Sequence, residues 1–205
     1  MFMKKFINFL FCKFLFRVHY YNIENLEIYD KYLICPNHSC VFDPFFIYPR
    51  TKNLSIMAKS EIFKNKLIAK ILTHYNVFPV NRNKVDVKSL FHSLSIFKED
   101  IPCEFLIFVE GGVVKNKEDI GTKVHNGAVF VSSKLHIPII PVYITRRPKF
   151  FSKVNVIFGK PYFLDKSILK NKSLVKEESK NLINKIYGLK KESKWLFAFF
   201  LHFYN

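Results

Sequence analysis

The chain has 205 residues, of which 49% are hydrophobic and 24% charged, so it has the composition of one globular domain and leaves no room for two of average size. Lys and Arg number 33 against 16 Asp and Glu, which gives a formal net charge of +17. Such an excess of basic charge indicates an acidic partner: nucleic acid, anionic lipid, an acidic carrier protein or a phosphorylated substrate.

The four cysteines follow no regular spacing and lie in apolar surroundings, which favours reduced thiols over a disulfide framework. Cys35, His38 and Cys40 form a C-x-x-H-x-C pattern. A structural zinc site needs four ligands, usually in two spaced pairs, and no second pair follows at a suitable spacing. The sequence therefore predicts no metal site.

An N-terminal amphipathic helix is the first predicted element, within residues 1–24. Its apolar stretch, 6–16, holds about 11 residues and includes Lys13, whereas a spanning helix needs ~20. No small-x-small cleavage site follows, which argues against a signal peptide. Aromatic residues along one flank, with basic residues beside them, predict a helix that lies at a membrane interface. The alternative is that this helix packs on its own domain.

Residues 25–165 are predicted to form a single α/β domain with a largely parallel or mixed sheet covered by helices. Most apolar runs are continuous, which is typical of strands covered on both faces, and they alternate with helix-like segments. The chain has no sequence repeats and no Gly/Ser-rich linker. The predicted strands are 31–35, 54–58, 77–80, 104–109, 137–144 and 154–158, and the predicted helices are 62–74, 85–98 and 123–135.

A C-terminal helical segment with an aromatic tail is predicted for residues 166–205. Its lysine-rich part has an apolar stripe of Leu182, Ile183 and Ile186. The tail, 195–205, is too short to span a bilayer, but Trp and Tyr concentrate at headgroup level. Basic, aromatic segments at both ends predict a peripheral or monotopic protein on the cytoplasmic face of the cell membrane.

Three polar residues each follow a predicted strand. They are His38, Arg82 and Glu110. In open α/β sheets, ligands bind beyond the carboxyl ends of the strands. The three residues together therefore indicate a functional site at that edge of the sheet.

The stretch N-H-S-C-V-F-D at 37–43 separates His38 from Asp43 by five positions and leads into a helix start at Pro44. One interpretation gives Asp43 a helix-capping role and leaves His38 as a turn residue. The other makes His38 a general base whose second ring nitrogen is held by Asp43, which fixes the tautomer and stabilises the imidazolium. The spacing alone is compatible with both interpretations.

The same stretch resembles the N-H-x-x-x-x-D motif of the glycerophospholipid acyltransferases, enzymes of phospholipid biosynthesis. Four further blocks follow in the family's order, and the resemblance covers roughly residues 30–165. One block is weak support, but five in order are specific. The further blocks are N-V-F-P-V-N-R at 76–82, L-I-F-V-E-G-G at 106–112, a K…G…I-P-I-I-P-V region from Lys123 to 142, and F-G-K-P at 158–161.

The resemblance implies transfer of a fatty acyl group from acyl-CoA or acyl-carrier protein to a lysophospholipid hydroxyl. The main candidate acceptor is 1-acyl-sn-glycerol-3-phosphate, which would give phosphatidic acid. His38 would be the base and Asp43 its partner, Arg82 would bind the acceptor phosphate, and Glu110 and Gly111 would line the acceptor pocket. The acyl donor is a co-substrate. No other cofactor, no metal and no acyl-enzyme are implied, and the partners are the two substrates and an anionic membrane surface.

The third block departs from the family's F-P-E-G-T-R-S, because residues 108–114 read F-V-E-G-G-V-V. The missing arginine removes a cation that would help to hold a phosphate. Lys115, Lys117 or Lys123 would be its substitutes, as point charges without the bidentate geometry of arginine. The alternative is a different acceptor, either another lysophospholipid or a lipid without a phosphate.

Two further alternatives concern the function class. A basic nucleic-acid-binding module would account for the charge, but no helix-turn-helix or RNP-like pattern is present, so no nucleic-acid partner is predicted. A family member that binds lipid without turnover is compatible with the altered third block. The presence of both His38 and Asp43 argues against it.

Overall fold

The computed structural model describes residues 2–80, 95, 97 and 101–203. Within these residues, seven strands form one sheet. They are β1 (Arg17–Tyr21), β2 (Lys31–Pro36), β3 (Leu54–Lys59), β4 (Val77–Val80), β5 (Cys103–Leu106), β6 (Ile139–Ile144) and β7 (Lys153–Phe158). The strand order is β1-β7-β6-β2-β5-β3-β4, and every neighbouring pair is parallel except β6 and β7. The α/β class with a mixed, largely parallel sheet is confirmed.

Helices connect the strands and flank the sheet. The short helix after β2 has Pro44 in its first turn, where a missing N–H costs nothing, and the helix after β3 is capped by Asn65, whose Oδ1 accepts from the Leu67 and Ile68 amides. The α-helices of the described residues are α1 (Phe2–Ile7), α2 (Asp43–Ile47), α3 (Lys66–His74), α4 (Gly127–Leu135) and α5 (Lys172–Phe203).

Both faces of the sheet are covered, as the continuous apolar runs predicted. On one face, Phe16 and Phe46 pack with Ile34 of β2. On the other face, Leu33 of β2 lies in a cluster with residues of α4 and α5, including Leu182. Neighbouring residues of β2 point to opposite faces of the sheet, and both faces are covered, so β2 needs apolar side chains at successive positions. The sheet therefore lies at the centre of the domain.

The predicted N-terminal helix ends earlier than residue 24. Helix α1 continues as a π-helix, Asn8–Leu15, and Arg17–Tyr21 then forms edge strand β1, which the sequence analysis did not predict. The helical segment packs on the domain, since the Phe11 and Phe45 rings stack with centroids 4.5 Å apart. Its role at a membrane stays a prediction.

Several other predicted elements differ in extent. Helix 62–74 is a 3₁₀ turn, Ser60–Lys64, followed by α3, and helix 123–135 begins only at Gly127. Predicted strand 104–109 ends at Leu106, and a turn follows at 109–110. The predicted helix 85–98 lies largely outside the described residues.

The C-terminal segment is helical, as predicted, and part of it belongs to the core. Leu182, Ile183 and Ile186 of α5 are buried against the sheet and α4, so the predicted apolar stripe is confirmed. Among the helices of the described residues, none combines the length and the apolar character that are needed to cross a bilayer.

Candidate active site at the carboxyl edge of the sheet

Three parallel neighbours in the sheet, β5, β2 and β6, end at the same edge, and a polar residue follows each of them. Glu110 follows β5, His38 follows β2 and Arg146 follows β6. The carboxyl edge of a parallel sheet is the usual place for a ligand site. The topology thus brings together two residues that the sequence predicted and one, Arg146, that it did not.

His38 and Asp43 are in direct contact. The His38 Nδ1 and Asp43 Oδ2 atoms are 3.0 Å apart, and Asp43 is fully buried. Because a carboxylate only accepts hydrogen bonds, Nδ1 is the donor and the lone pair of the ring is on Nε2. The ring also stacks on Phe108 with centroids 3.9 Å apart. The imidazole is therefore held in one tautomer and in one orientation, with Nε2 as its basic atom.

Asp43 does not act as a helix cap. Its Oδ2 atom accepts hydrogen bonds from the backbone N–H groups of Ser39 and Cys40, at 2.8 and 2.9 Å, both of which precede helix α2. Its Oδ1 atom is buried and has no hydrogen-bond partner among the described residues. The capping interpretation is wrong, and the geometry is that of a carboxylate that holds the His38 loop and orients the imidazole.

Asn37 anchors the start of this loop. Its side chain donates to the Ile144 carbonyl at 3.0 Å and accepts from the Ile144 N–H at 2.7 Å, so it bonds to the end of β6 as another strand residue would. Asn37 is fully buried, where an unpaired amide would be costly. This double hydrogen bond fixes the point at which the chain leaves the sheet and so positions His38.

Glu110 supports the loop from the neighbouring strand. Its Oε2 accepts the His38 backbone N–H at 2.7 Å, and its Oε1 accepts the Tyr187 hydroxyl of α5 at 2.9 Å. Burial raises the pKa of Glu110, although the hydrogen bonds and the Arg146 charge act in the opposite direction. Glu110 thus lies beside His38 at the carboxyl edge of the sheet. The contact runs through the His38 backbone, and lining of an acceptor pocket by Glu110 stays a prediction.

Arg146 closes the network. Its guanidinium donates to the Tyr187 hydroxyl at 3.1 Å and to the backbone carbonyls of Val114, Lys115 and Asn116 at 3.2, 3.4 and 3.1 Å. Five donors in a planar fork suit several carbonyls at once. The chain lacks the arginine of the family's third block, and Arg146, which follows β6, holds the loop after that block.

Gly111 begins that loop with a φ of 67°, in the left-handed region that glycine adopts without strain. A Cβ atom at Gly111 would collide with the His125 ring, which lies against the backbone there. At the other end of the loop, the Val114 N–H donates to the His38 carbonyl at 2.7 Å. The third block and the first are therefore joined into one rigid unit.

The remaining predicted binding residues have different outcomes. The Lys115 and Lys123 side chains are exposed, and the backbone carbonyl of Lys115 accepts a hydrogen bond from Arg146. Arg82 lies outside the described residues. The phosphate-binding role of all three stays a prediction.

Sequence reasoning missed Arg146 and Tyr187. Arg146 had a usable signal, because it follows predicted strand 137–144 as the three candidate residues follow theirs. Tyr187 had none, because it lies on a charged helix 77 residues from its partner Glu110.

Potential metal-binding side chains do not cluster among the residues that the structure describes. In the described parts of the chain, no group of three or more His, Cys, Asp or Glu side chains is close enough to hold a metal ion. Cys40, which is half-buried beside His38, has its pKa raised by burial, so the thiol form is favoured over the nucleophilic thiolate.

Comparison with known proteins identifies similar acyltransferases. A family model described as Acyltransferase matches residues 17–145. A 1-acyl-sn-glycerol-3-phosphate acyltransferase of Bacillus subtilis is 31% identical over 127 residues, covering 60% of this chain and 60% of that protein. One from Streptococcus pneumoniae is 23% identical over 130 residues, covering 62% of this chain and 47% of that protein. The chain thus spans about half the length of the curated relatives it matches.

A solved structure shares the fold. The crystal structure of the 1-acyl-sn-glycerophosphate (LPA) acyltransferase PlsC from Thermotoga maritima superposes with a TM-score of 0.63 at 18% identity, covering 92% of this chain and 78% of that chain. The family match extends over more than half of the chain and contains both His38 and Glu110. On this ground, the chain belongs to the acyltransferase family.

Proposed function

We propose that this protein transfers a fatty acyl group from a thioester donor, acyl-CoA or acyl-carrier protein, to the hydroxyl of a lysophospholipid. The proposed acceptor is 1-acyl-sn-glycerol-3-phosphate, with phosphatidic acid as the product. The 3.0 Å contact between His38 Nδ1 and the buried Asp43 carboxylate carries the proposal, because it leaves Nε2 as an oriented base. The names of the two curated relatives support the choice of acceptor.

The reaction follows from that base. His38 Nε2 removes the proton from the acceptor hydroxyl as its oxygen attacks the thioester carbonyl carbon. The C–S bond then breaks, the new C–O ester bond remains, and the leaving thiolate takes the proton from the imidazolium. Asp43 stabilises the imidazolium in the intervening state. The acyl donor is a co-substrate, and the step needs no metal and no acyl-enzyme.

Basic side chains are proposed to bind the acceptor phosphate. Arg82 is the proposed phosphate-binding residue, because its planar fork matches phosphate oxygens, and Lys115 and Lys123 add exposed positive charge. Arg82→Ala should raise the KM for 1-acyl-sn-glycerol-3-phosphate by about tenfold or more and change kcat little. An unchanged KM would show that another group binds the phosphate.

An acyl-transfer assay tests the reaction itself. Acyl-CoA and acyl-carrier protein donors are offered with a panel of lysolipids, and the products are identified by mass. His38→Ala and His38→Gln should both be inactive, whereas His74→Ala, which removes an exposed histidine of α3, should match the wild type. Transfer by either His38 variant, or no transfer by the wild type on any acceptor, would contradict the proposal.

The site of action follows from the lipid substrate. We place the protein at the cytoplasmic face of the membrane as a peripheral or monotopic enzyme, with the charge of +17 attracted to anionic lipid, to phosphorylated acceptors and to acidic donors. Deleting residues 195–205 should weaken binding to anionic vesicles if the aromatic tail contributes. If the shortened chain sediments with vesicles as well as the wild type does, the tail does not contribute to membrane binding.

A further inference from the structure

The turn between β6 and β7 displays two phenylalanines to solvent. We call residues 147–152 the aromatic turn; Phe150 and Phe151 within it are 58% and 61% exposed. The helical N-terminal segment adds Phe9 and Phe14, which are 61% and 57% exposed. The Phe14 ring meets the Phe151 ring edge-on with centroids 6.1 Å apart, so the two segments form one continuous apolar surface.

The aromatic turn is held in a strained conformation. Arg147 and Phe151 have φ angles of 47° and 61°, although neither is glycine, and a bulky residue in this region is a true outlier. The Arg147 N–H donates to the Ser39 hydroxyl at 3.0 Å, and the Phe151 N–H donates to the Leu15 carbonyl at 2.7 Å. Strain of this kind persists only where the surroundings impose it, and these two hydrogen bonds, to the His38 loop and to the N-terminal segment, hold the turn with the Phe151 ring exposed.

The surface continues to the catalytic loop. The Phe150 ring lies 5.4 Å from Phe16 and 6.1 Å from Phe42, measured between centroids, and Phe42 directly precedes Asp43. Val41, in the same loop, is 67% exposed. An apolar path therefore leads from the aromatic turn to the residues next to His38.

Basic residues lie next to the aromatic residues of this surface in the sequence. Lys13, Arg17, Arg147 and Lys149 are all exposed. Exposed aromatic side chains bordered by Lys and Arg match the boundary of a bilayer that contains anionic lipid, where the rings enter the acyl region and the cations meet the headgroups.

We propose that the aromatic turn is a second lipid-binding element, which inserts Phe150 and Phe151 into an anionic bilayer beside the N-terminal segment and turns the His38 loop toward the lipid. The lysolipid acceptor would then reach His38 Nε2 without leaving the membrane surface. The inference rests on the proposed function for its purpose, but its tests measure binding and need no acyl transfer.

Vesicle partitioning tests the contact. The full chain is sedimented with vesicles of equal parts phosphatidylcholine and phosphatidylglycerol, and with phosphatidylcholine alone. Phe150→Ser combined with Phe151→Ser should lower the partition coefficient for the mixed vesicles about 100-fold, about tenfold for each ring. The matched control is Phe163→Ser, which also removes an exposed phenylalanine. Its neighbour Tyr162 pairs with Ile139, the first residue of β6, whereas the aromatic turn follows the last residue of that strand.

A single substitution separates lost binding from lost folding. Phe151→Gly removes a ring and places the residue best suited to a φ of 61° at that position. The variant should therefore melt at a higher temperature than the wild type and still bind the mixed vesicles about tenfold more weakly. Binding equal to that of the wild type would overturn the proposal, as would equal binding of the wild type to the two kinds of vesicle.

Cys40 reports the orientation. It is the one cysteine of the four that is not buried, and it lies between Ser39 and Val41 in the His38 loop. Labelling of Cys40 by a water-soluble maleimide should slow about fivefold when the wild type binds mixed vesicles, because the loop then faces lipid rather than water. An unchanged labelling rate on bound protein would show that the site faces away from the bilayer and would overturn the orientation.

Discussion

The His38 imidazole and the Asp43 carboxylate, five positions apart in the chain, are joined by a hydrogen bond of 3.0 Å at the point where β2 leaves the sheet. The same carboxylate oxygen also accepts the amides of Ser39 and Cys40, so that one atom contacts both the imidazole and the backbone of the loop. Asp43 therefore contributes both to the orientation of the imidazole and to the conformation of the loop.

Asp43→Asn should separate these two tasks. An amide oxygen can still accept the Ser39 and Cys40 amides, so the melting temperature should change little. The neutral side chain stabilises the imidazolium poorly, so kcat should fall on the order of 10³-fold. The measurement is kcat at saturating donor and acceptor beside the melting temperature. Asp30→Asn, at an exposed position, is the control, and a kcat within twofold, roughly, of the wild type would refute the role of Asp43.

Arg146→Lys should loosen the loop that follows Gly111. Lysine keeps the charge but cannot donate at once to the Tyr187 hydroxyl and to the carbonyls of Val114 and Asn116. We expect the free energy of unfolding to fall by about 2 kcal/mol, the scale of hydrogen bonds to a charged group. Urea unfolding measures the loss. Tyr187→Phe, which removes one hydroxyl and leaves the fork, should cost about 1 kcal/mol, and equal losses in the two variants would contradict a role for the planar fork.

Gly111→Ala tests the backbone of the third block. Its φ of 67° should cost an alanine about 1 kcal/mol, and contact of the new methyl group with the His125 ring should add to that cost. The double variant Gly111→Ala with His125→Ala lacks the ring, so it should recover the stability lost to the contact but not the stability lost to the backbone conformation. Thermal unfolding of the two single variants and the double variant gives both parts. A double variant as unstable as Gly111→Ala would mean that the ring moves aside freely.

Glu110 should make stability depend on pH. Burial raises its pKa in the folded state above the ordinary value of 4.5, so the folded state binds this proton more tightly than the unfolded chain does. The contribution of Glu110 protonation to the free energy of unfolding is therefore fully present below pH 4.5, and it is lost as pH rises through the raised pKa.

Glu110→Gln should remove that part of the pH dependence. The amide oxygen can accept one of the two hydrogen bonds that Glu110 accepts, from the His38 N–H and the Tyr187 hydroxyl. Urea unfolding from about pH 4 to about pH 8 compares the variant with the wild type, and Glu118→Gln at an exposed position serves as the control. If the free energy of unfolding changed with pH equally in the wild type and in Glu110→Gln, the Glu110 carboxyl would not be the cause of the pH dependence.

Local patterns in the sequence determined the fold class and pointed to the proposed catalytic pair, His38 and Asp43. Continuous apolar runs at 31–35 and 137–144 required strands covered on both faces, and the helix-like segments between the runs required parallel crossovers. The five-residue spacing put His38 and Asp43 within reach of each other because both ends of the contact lie within one short loop. Edge strand β1 was missed because R-V-H-Y-Y has no continuous apolar run, and its ladder with β7 forms across more than a hundred residues of chain.

Tertiary structure alone decided what supports that pair. Spacing left Asp43 free to cap α2 or to hold His38, and the buried backbone donors of the loop selected the second role. Arg146 and Tyr187 meet Glu110 only because β2 lies between β5 and β6 and because α5 packs across their ends. Strand order and helix docking depend on the packing of the whole core, so no local pattern in the sequence encodes contacts of this range.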